Sequence, residues 1–311
     1  MHNNLAFVFP GQGSQTVGML SDYADNEIVR NTFSEASEAL GYDLWQLVAE
    51  GPAETLNKTQ NTQPALLTAS VALWRLWQSQ SNNMPSVLAG HSLGEYSALV
   101  CAGVFSLAEG VTLVEQRGIF MQTSVPEGIG AMAAVIGLDD DKIIELCAQA
   151  EEDEVVSAVN FNSPGQVVIA GNKAAVERAG ILCKEAGAKR VLPLPVSVPS
   201  HCALMKSAAE KLALSLDNIT FESPEISVVN NVDVAVETSG KAIKTALIKQ
   251  LYSPVRWSET ISKLSDDGIS TVIEIGPGKV LQGLIKRIDK SITCVSVNST
   301  DSLDKALELF K

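Results

Sequence analysis

Val87-Leu88-Ala89-Gly90-His91-Ser92-Leu93-Gly94-Glu95-Tyr96-Ser97-Ala98 is the stretch on which the reading of this chain turns. Val87 to Ala89 is a short apolar run of strand length that ends in Gly90. A helix is predicted from Gly94 to Ala102. Between them, Gly90 to Gly94 spells G-x-S-x-G, the nucleophile elbow, a tight strand-to-helix turn that lifts a serine hydroxyl clear of the backbone. Glycines flank the serine because side chains there would clash within the turn. The following helix aims unpaired N–H groups and its positive end at the site. Ser92 is therefore the candidate nucleophile.

Working outward, Leu5 to Phe9 reads as a buried strand ended by Pro10 and Gly11. Pro64 suits the first turn of a helix running to Ser79. A helix is predicted over 107–123, and Val125 to Gly128 reads as a linker. Residues 131–138, 155–160, 166–170 and 190–194 are strand-like; Asp139, Asp140 and Asp141 precede a helix ending near Ala150, and a second helix is predicted over 173–186. That order, β-α-β-β-α-β, is a ferredoxin-like module. Further strands near 226–230, 271–275 and 293–297 alternate with helices, which implies a mainly parallel sheet covered on both faces. The chain is thus expected to be α/β: residues 1–127 and 198–311 form a large catalytic domain, and 128–197 an inserted small one.

With 46% hydrophobic and 19% charged residues, the chain has the composition of a folded globular protein. A net charge of −13 repels phosphate backbones and argues against nucleic acid as a partner. No apolar run reaches the ~18–20 residues that span a bilayer, and the N-terminal stretch does not read as a signal peptide. Five cysteines with no CxxC pair read as reduced thiols of a cytoplasmic protein.

A serine nucleophile needs a base, and the chain has three histidines. His2 lies at the terminus, and His91 adjoins Ser92, where neighbours on a tight elbow point in different directions. His201 stands where the chain re-enters the large domain and is the best base by elimination. Cys202 is a rival nucleophile, but its immediate neighbour His201 is poorly placed to activate it. The Leu93 N–H is one expected oxyanion donor. The loop Gly11-Gln12-Gly13-Ser14-Gln15 is the best source of a second. That loop is not a dinucleotide fingerprint, because Thr16 stands where the third glycine is required. Gly276-Pro277-Gly278-Lys279 is followed by Val280 and is not a P-loop. No metal-ligand spacing appears, so neither a metal nor a bound cofactor is expected.

These residues carry a clear resemblance. FPGQGSQ (Phe9–Gln15), GHSLGEYSA (Gly90–Ala98), EQRG (Glu115–Gly118), NFNSPGQVVIAG (Asn160–Gly171), VSVPSH (Val196–His201), QLYSPVRW (Gln250–Trp257) and EIGPGKVL (Glu274–Leu281) resemble the malonyl-CoA:acyl-carrier-protein transacylase family, in order along nearly the whole chain. The resemblance implies a hydrolase-like large domain with a ferredoxin-like small one. It implies transfer of a malonyl group from malonyl-CoA to the phosphopantetheine thiol of acyl carrier protein through an ester on Ser92, in fatty-acid synthesis. His201 would be the base and the Gln250 carbonyl its orienting partner. The Gln12 and Leu93 amides would form the oxyanion hole. Arg117 would pair with the free malonyl carboxylate, for which its planar fork is suited. Ser200, just before the base, matches the stand-alone malonyl enzymes, so the malonyl assignment rests on the whole-chain similarity.

Carrier proteins are acidic. The basic pairs Lys189-Arg190 and Lys286-Arg287 are candidates for the docking face. The rival reading is a serine thioesterase or esterase, which would need a carboxylate partner for its histidine, with Glu115 a candidate. A non-catalytic carrier-binding module is a second rival, against which the serine, histidine and arginine set argues.

Overall fold

The computed structural model describes residues 2–126, 128–196 and 198–310. It is a mixed α/β molecule with two separate sheets. The first has five parallel strands: β1 (His2–Phe9), β2 (Pro85–Gly90), β7 (Ser227–Val229), β8 (Thr271–Ile275) and β9 (Thr293–Val297), in the order β7-β2-β1-β8-β9. The second is antiparallel: β3 (Gly130–Ile136), β4 (Val156–Ser163), β5 (Gln166–Asn172) and β6 (Arg190–Pro193), in the order β4-β5-β3-β6.

The uninterrupted apolar run of β1 follows from its central place in the parallel sheet. Leu5, Phe7 and Phe9 face one core, with the helix Thr59–Gln80. Ala6 and Val8 face another, with Trp257, Ile261 and Ile285. Phe7 meets Trp74 and Trp77 edge-on, with ring centroids 5.6 and 5.2 Å apart, contacts worth about 0.5–1.5 kcal/mol each beyond their burial. One face of the antiparallel sheet carries two helices: Ala133, Val135, Val167 and Ile169 pack under Asp140–Ala150 and Lys173–Glu185. Met132, Ala134, Val168 and Ala170 form the opposite face, with Cys202 against it. The antiparallel sheet is tied to the segment leading into helix Trp257–Asp266, where Phe161 N–H donates to Val255 O (3.0 Å) and Val255 N–H donates to Val159 O (2.8 Å).

Several elements depart from expectation. Pro64 does not open its helix, which begins at Thr59; the proline lies inside it. The first turn is fixed instead by packing, since a Cβ on Gly118 would stand 2.6 Å from Gln60 Cα. Asn162 and Ser163 belong to β4, leaving Pro164 and Gly165 as the turn. The segment after His201 starts as a 3₁₀ turn, Ala203–Met205, before the helix Lys206–Leu216. The helices Glu27–Leu40, Leu44–Glu50, Ala53–Leu56 and Thr300–Glu308 add to those expected from the sequence.

Candidate active site

The elbow forms because β2 and the helix Leu93–Cys101 meet at van der Waals limits. A Cβ on Gly90 would lie 1.9 Å from the Gly94 carbonyl carbon, and one on Gly94 would lie 2.0 Å from Phe9 O. Ser92 caps the helix at φ 53°, ψ −108°, a conformation that costs a non-glycine residue of order 1–3 kcal/mol. Asn231 offsets that cost. Its Oδ1 accepts from Ser92 N–H (2.7 Å), and its Nδ2 donates to Gly90 O (2.6 Å).

Ser92 Oγ lies 2.8 Å from His201 Nε2, and His201 Nδ1 lies 2.6 Å from the Gln250 backbone oxygen. A carbonyl only accepts, so Nδ1 carries the proton and Nε2 is free to accept from the serine. Burial, reinforced by the charge of Arg117, pushes the imidazole down to about 3. The ring is therefore neutral at physiological pH, the form in which an imidazole can accept a proton. The partner at Nδ1 is this carbonyl rather than a carboxylate. Glu115, a candidate for the carboxylate a hydrolase reading requires, is half-buried and does not line the cleft.

Arg117, only 1% exposed, donates from Nη1 to Gln63 Oε1 (2.7 Å). Its Nη2 donates to Gln250 Oε1 (3.0 Å) and to Ser92 Oγ (3.3 Å). A buried cation thus touches the hydroxyl oxygen of Ser92, the candidate nucleophile. Gln12, Ser92, Leu93, Arg117, Ser200 and His201 all line one cleft of about 550 Å³, with Met132 and Asn160 from the antiparallel sheet on its other wall.

His91 also lines the cleft, but its Nε2 is taken by Asn162 Oδ1 at 2.8 Å and its ring packs on Trp257. Cys202 is buried, its thiol donates to Pro199 O, and burial pushes it up to about 11. Lys189, Arg190, Lys286 and Arg287 are exposed and lie outside the cleft. Arg190 and Gln166 both pair with Ile136, and Arg287 Nη1 donates to Gln166 Oε1 at 2.5 Å. Among the described residues, no three His, Cys, Asp or Glu side chains gather as a metal site, and no helix is long and apolar enough to cross a membrane.

Residues 6–303 match the acyl transferase domain model. The chain belongs to the acyl transferase domain family. Among curated members of this family, the malonyl CoA-acyl carrier protein transacylase of Escherichia coli (strain K12) is 64% identical over 305 residues, covering 98% of this chain and 99% of that one. The crystal structure of an acyl carrier protein S-malonyltransferase from Vibrio cholerae superposes with a TM-score of 0.96 at 63% identity, covering 97% of this chain and 99% of that one. A malonyl-transacylase in complex with its type II PKS acyl-carrier protein superposes at 0.97 with 59% identity, covering 98% of this acyl transferase and 99% of that chain.

Sequence reasoning misses Gln63, Glu95, Asn231 and the Gln250 side chain. Gln63 hides behind Pro64, which reads as a helix start. The other three give no local signal, because their bonds to Arg117, Ser92 and the elbow helix span 133 to 158 residues.

Proposed function

We propose that this acyl transferase moves a malonyl group from malonyl-CoA to the phosphopantetheine thiol of acyl carrier protein, supplying fatty-acid chain elongation. The carrying observation is the meeting at one oxygen, Ser92 Oγ, of a neutral imidazole at 2.8 Å and a buried guanidinium at 3.3 Å. His201 Nε2 takes the serine proton as Oγ attacks the thioester carbonyl. The C–S bond then breaks, and the imidazolium returns its proton to the departing CoA sulfur. In the second half the carrier thiol gives its proton to His201 and attacks the serine ester; the Oγ–acyl bond breaks, and His201 returns that proton to Ser92 Oγ. The Gln12 and Leu93 N–H groups serve the oxyanion, each such donor contributing about 2.7–4 kcal/mol. Arg117 holds the malonyl carboxylate in a paired hydrogen-bonding geometry.

The same reading treats 1–127 and 198–311 as a hydrolase-like catalytic domain and 128–197 as a ferredoxin-like insert, supported by the β4-β5-β3-β6 order. The basic pairs are read as the carrier-protein face. Arg190 lies opposite Ile136, on the sheet face shared with Met132 and roughly 13 Å along the strand from it. That span suits an extended arm entering the cleft from an acidic partner. The free cysteines fit a cytoplasmic protein.

Radiolabelled malonyl-CoA should label the wild-type protein without carrier protein, and Ser92→Ala should take no label. Full labelling of Ser92→Ala would exclude this nucleophile. CoA release that ignores carrier protein would favour a thioesterase.

A further inference from the structure

The Gln250 amide sits between two groups that leave it one orientation. Its Oε1 accepts from Arg117, which has only donors. Its Nε2 donates to Glu95 Oε2 (2.9 Å) and Ser92 O (3.0 Å), with a longer contact to Asn231 Oδ1 (3.5 Å). A flipped amide would set donor against donor and oxygen against oxygen. Glu95 is 2% exposed and is held in turn by the Asn231 N–H, at 2.9 Å to the same Oε2. Burial pushes this carboxyl up to about 7, and Oε2 accepts from both donors with or without a proton on Oε1. Glu95 thus reaches Arg117 through one amide without touching the cleft, whose lining does not include it.

We propose that Glu95 is a positioning residue for substrate selection: by fixing the Gln250 amide it aims the Arg117 fork at the place of the free acyl carboxylate. This rests on the reading of Arg117 given above. Without an acceptor at 95, Nε2 keeps only Ser92 O and a longer contact to Asn231 Oδ1, so the amide is held less firmly and the fork's anchor beside Ser92 loosens. Acyl groups that end in a carboxylate should suffer; acyl groups that end in a methyl should not.

The test is the ratio of malonyl to acetyl labelling rates of Ser92. Glu95→Leu removes the acceptor at similar volume and should lower the ratio about tenfold, the size of one hydrogen bond to a charged group. Glu95→Gln can still present an oxygen to both donors and should recover most of the ratio. Glu95→Asp, a gentler change should the leucine variant not fold, withdraws the acceptor by one methylene and should lower the ratio about threefold. In an Arg117→Ala background, Glu95→Asp should not move the ratio further. A wild-type ratio in both Glu95→Leu and Glu95→Asp, or equal loss of both acyl groups, would overturn the proposal. If the wild type itself showed no malonyl preference, the reading of Arg117 would fail instead.

Discussion

Asn231→Ala removes the side chain that holds the elbow from both sides. Two short hydrogen bonds vanish, to Ser92 N–H and Gly90 O, along with a longer one from Gln250 Nε2 (3.5 Å). The alanine leaves a donor and an acceptor unpaired in a site where Asn231 itself is fully buried. Each net bond contributes about 0.5–1.5 kcal/mol, and each stranded buried group costs about 1–3 kcal/mol. With partial relaxation, the expected loss is about 2–5 kcal/mol, a large share of the roughly 5–15 kcal/mol that holds a domain folded. The Ser92 conformation also loses its brace, and a nucleophile displaced by about 1 Å can lose roughly a hundredfold in rate. Urea titration should show a lower midpoint, and malonyl labelling of the still-folded protein should slow by one to two powers of ten. A midpoint and a labelling rate both equal to wild type would refute the view that Asn231 braces the elbow.

Three further outcomes are expected. Arg117→Ala should depress malonyl labelling by ten- to a hundredfold while raising acetyl labelling relative to it, as read by intact mass with each acyl-CoA. His201 is held near 3 in the fold against an ordinary 6.5, so the unfolded chain binds its proton first as pH falls. The stability that wild type holds over His201→Asn should therefore shrink from pH 6.5 downward, measured by denaturant midpoints across pH. Reversing Arg190 and Arg287 to glutamate should raise the KM for carrier protein and leave Ser92 labelling by malonyl-CoA intact if these residues serve docking alone.

The strands Thr271–Ile275 and Thr293–Val297 are legible to the residue, because each is a short β-branched-rich segment between a helix and a turn. The elbow is legible because its glycines answer to local clashes. His201 can be reached by elimination among three histidines. The network under the site cannot. Asn231 follows a three-residue strand and serves a turn 139 residues away, so only the tertiary fold makes it more than one asparagine in a loop. Pro64 misleads for a related reason: helix Thr59–Gln80 starts where Gly118 lets two backbones meet, a constraint written in another helix.

The acceptor that steadies the His201 ring belongs to the main chain. Every amino acid brings that same oxygen, so no point substitution at 250 can delete it; replacement can only shift the peptide that carries it. It also never titrates. The imidazole therefore keeps its partner at every pH at which the protein stays folded, without an ionisable neighbour in step with it.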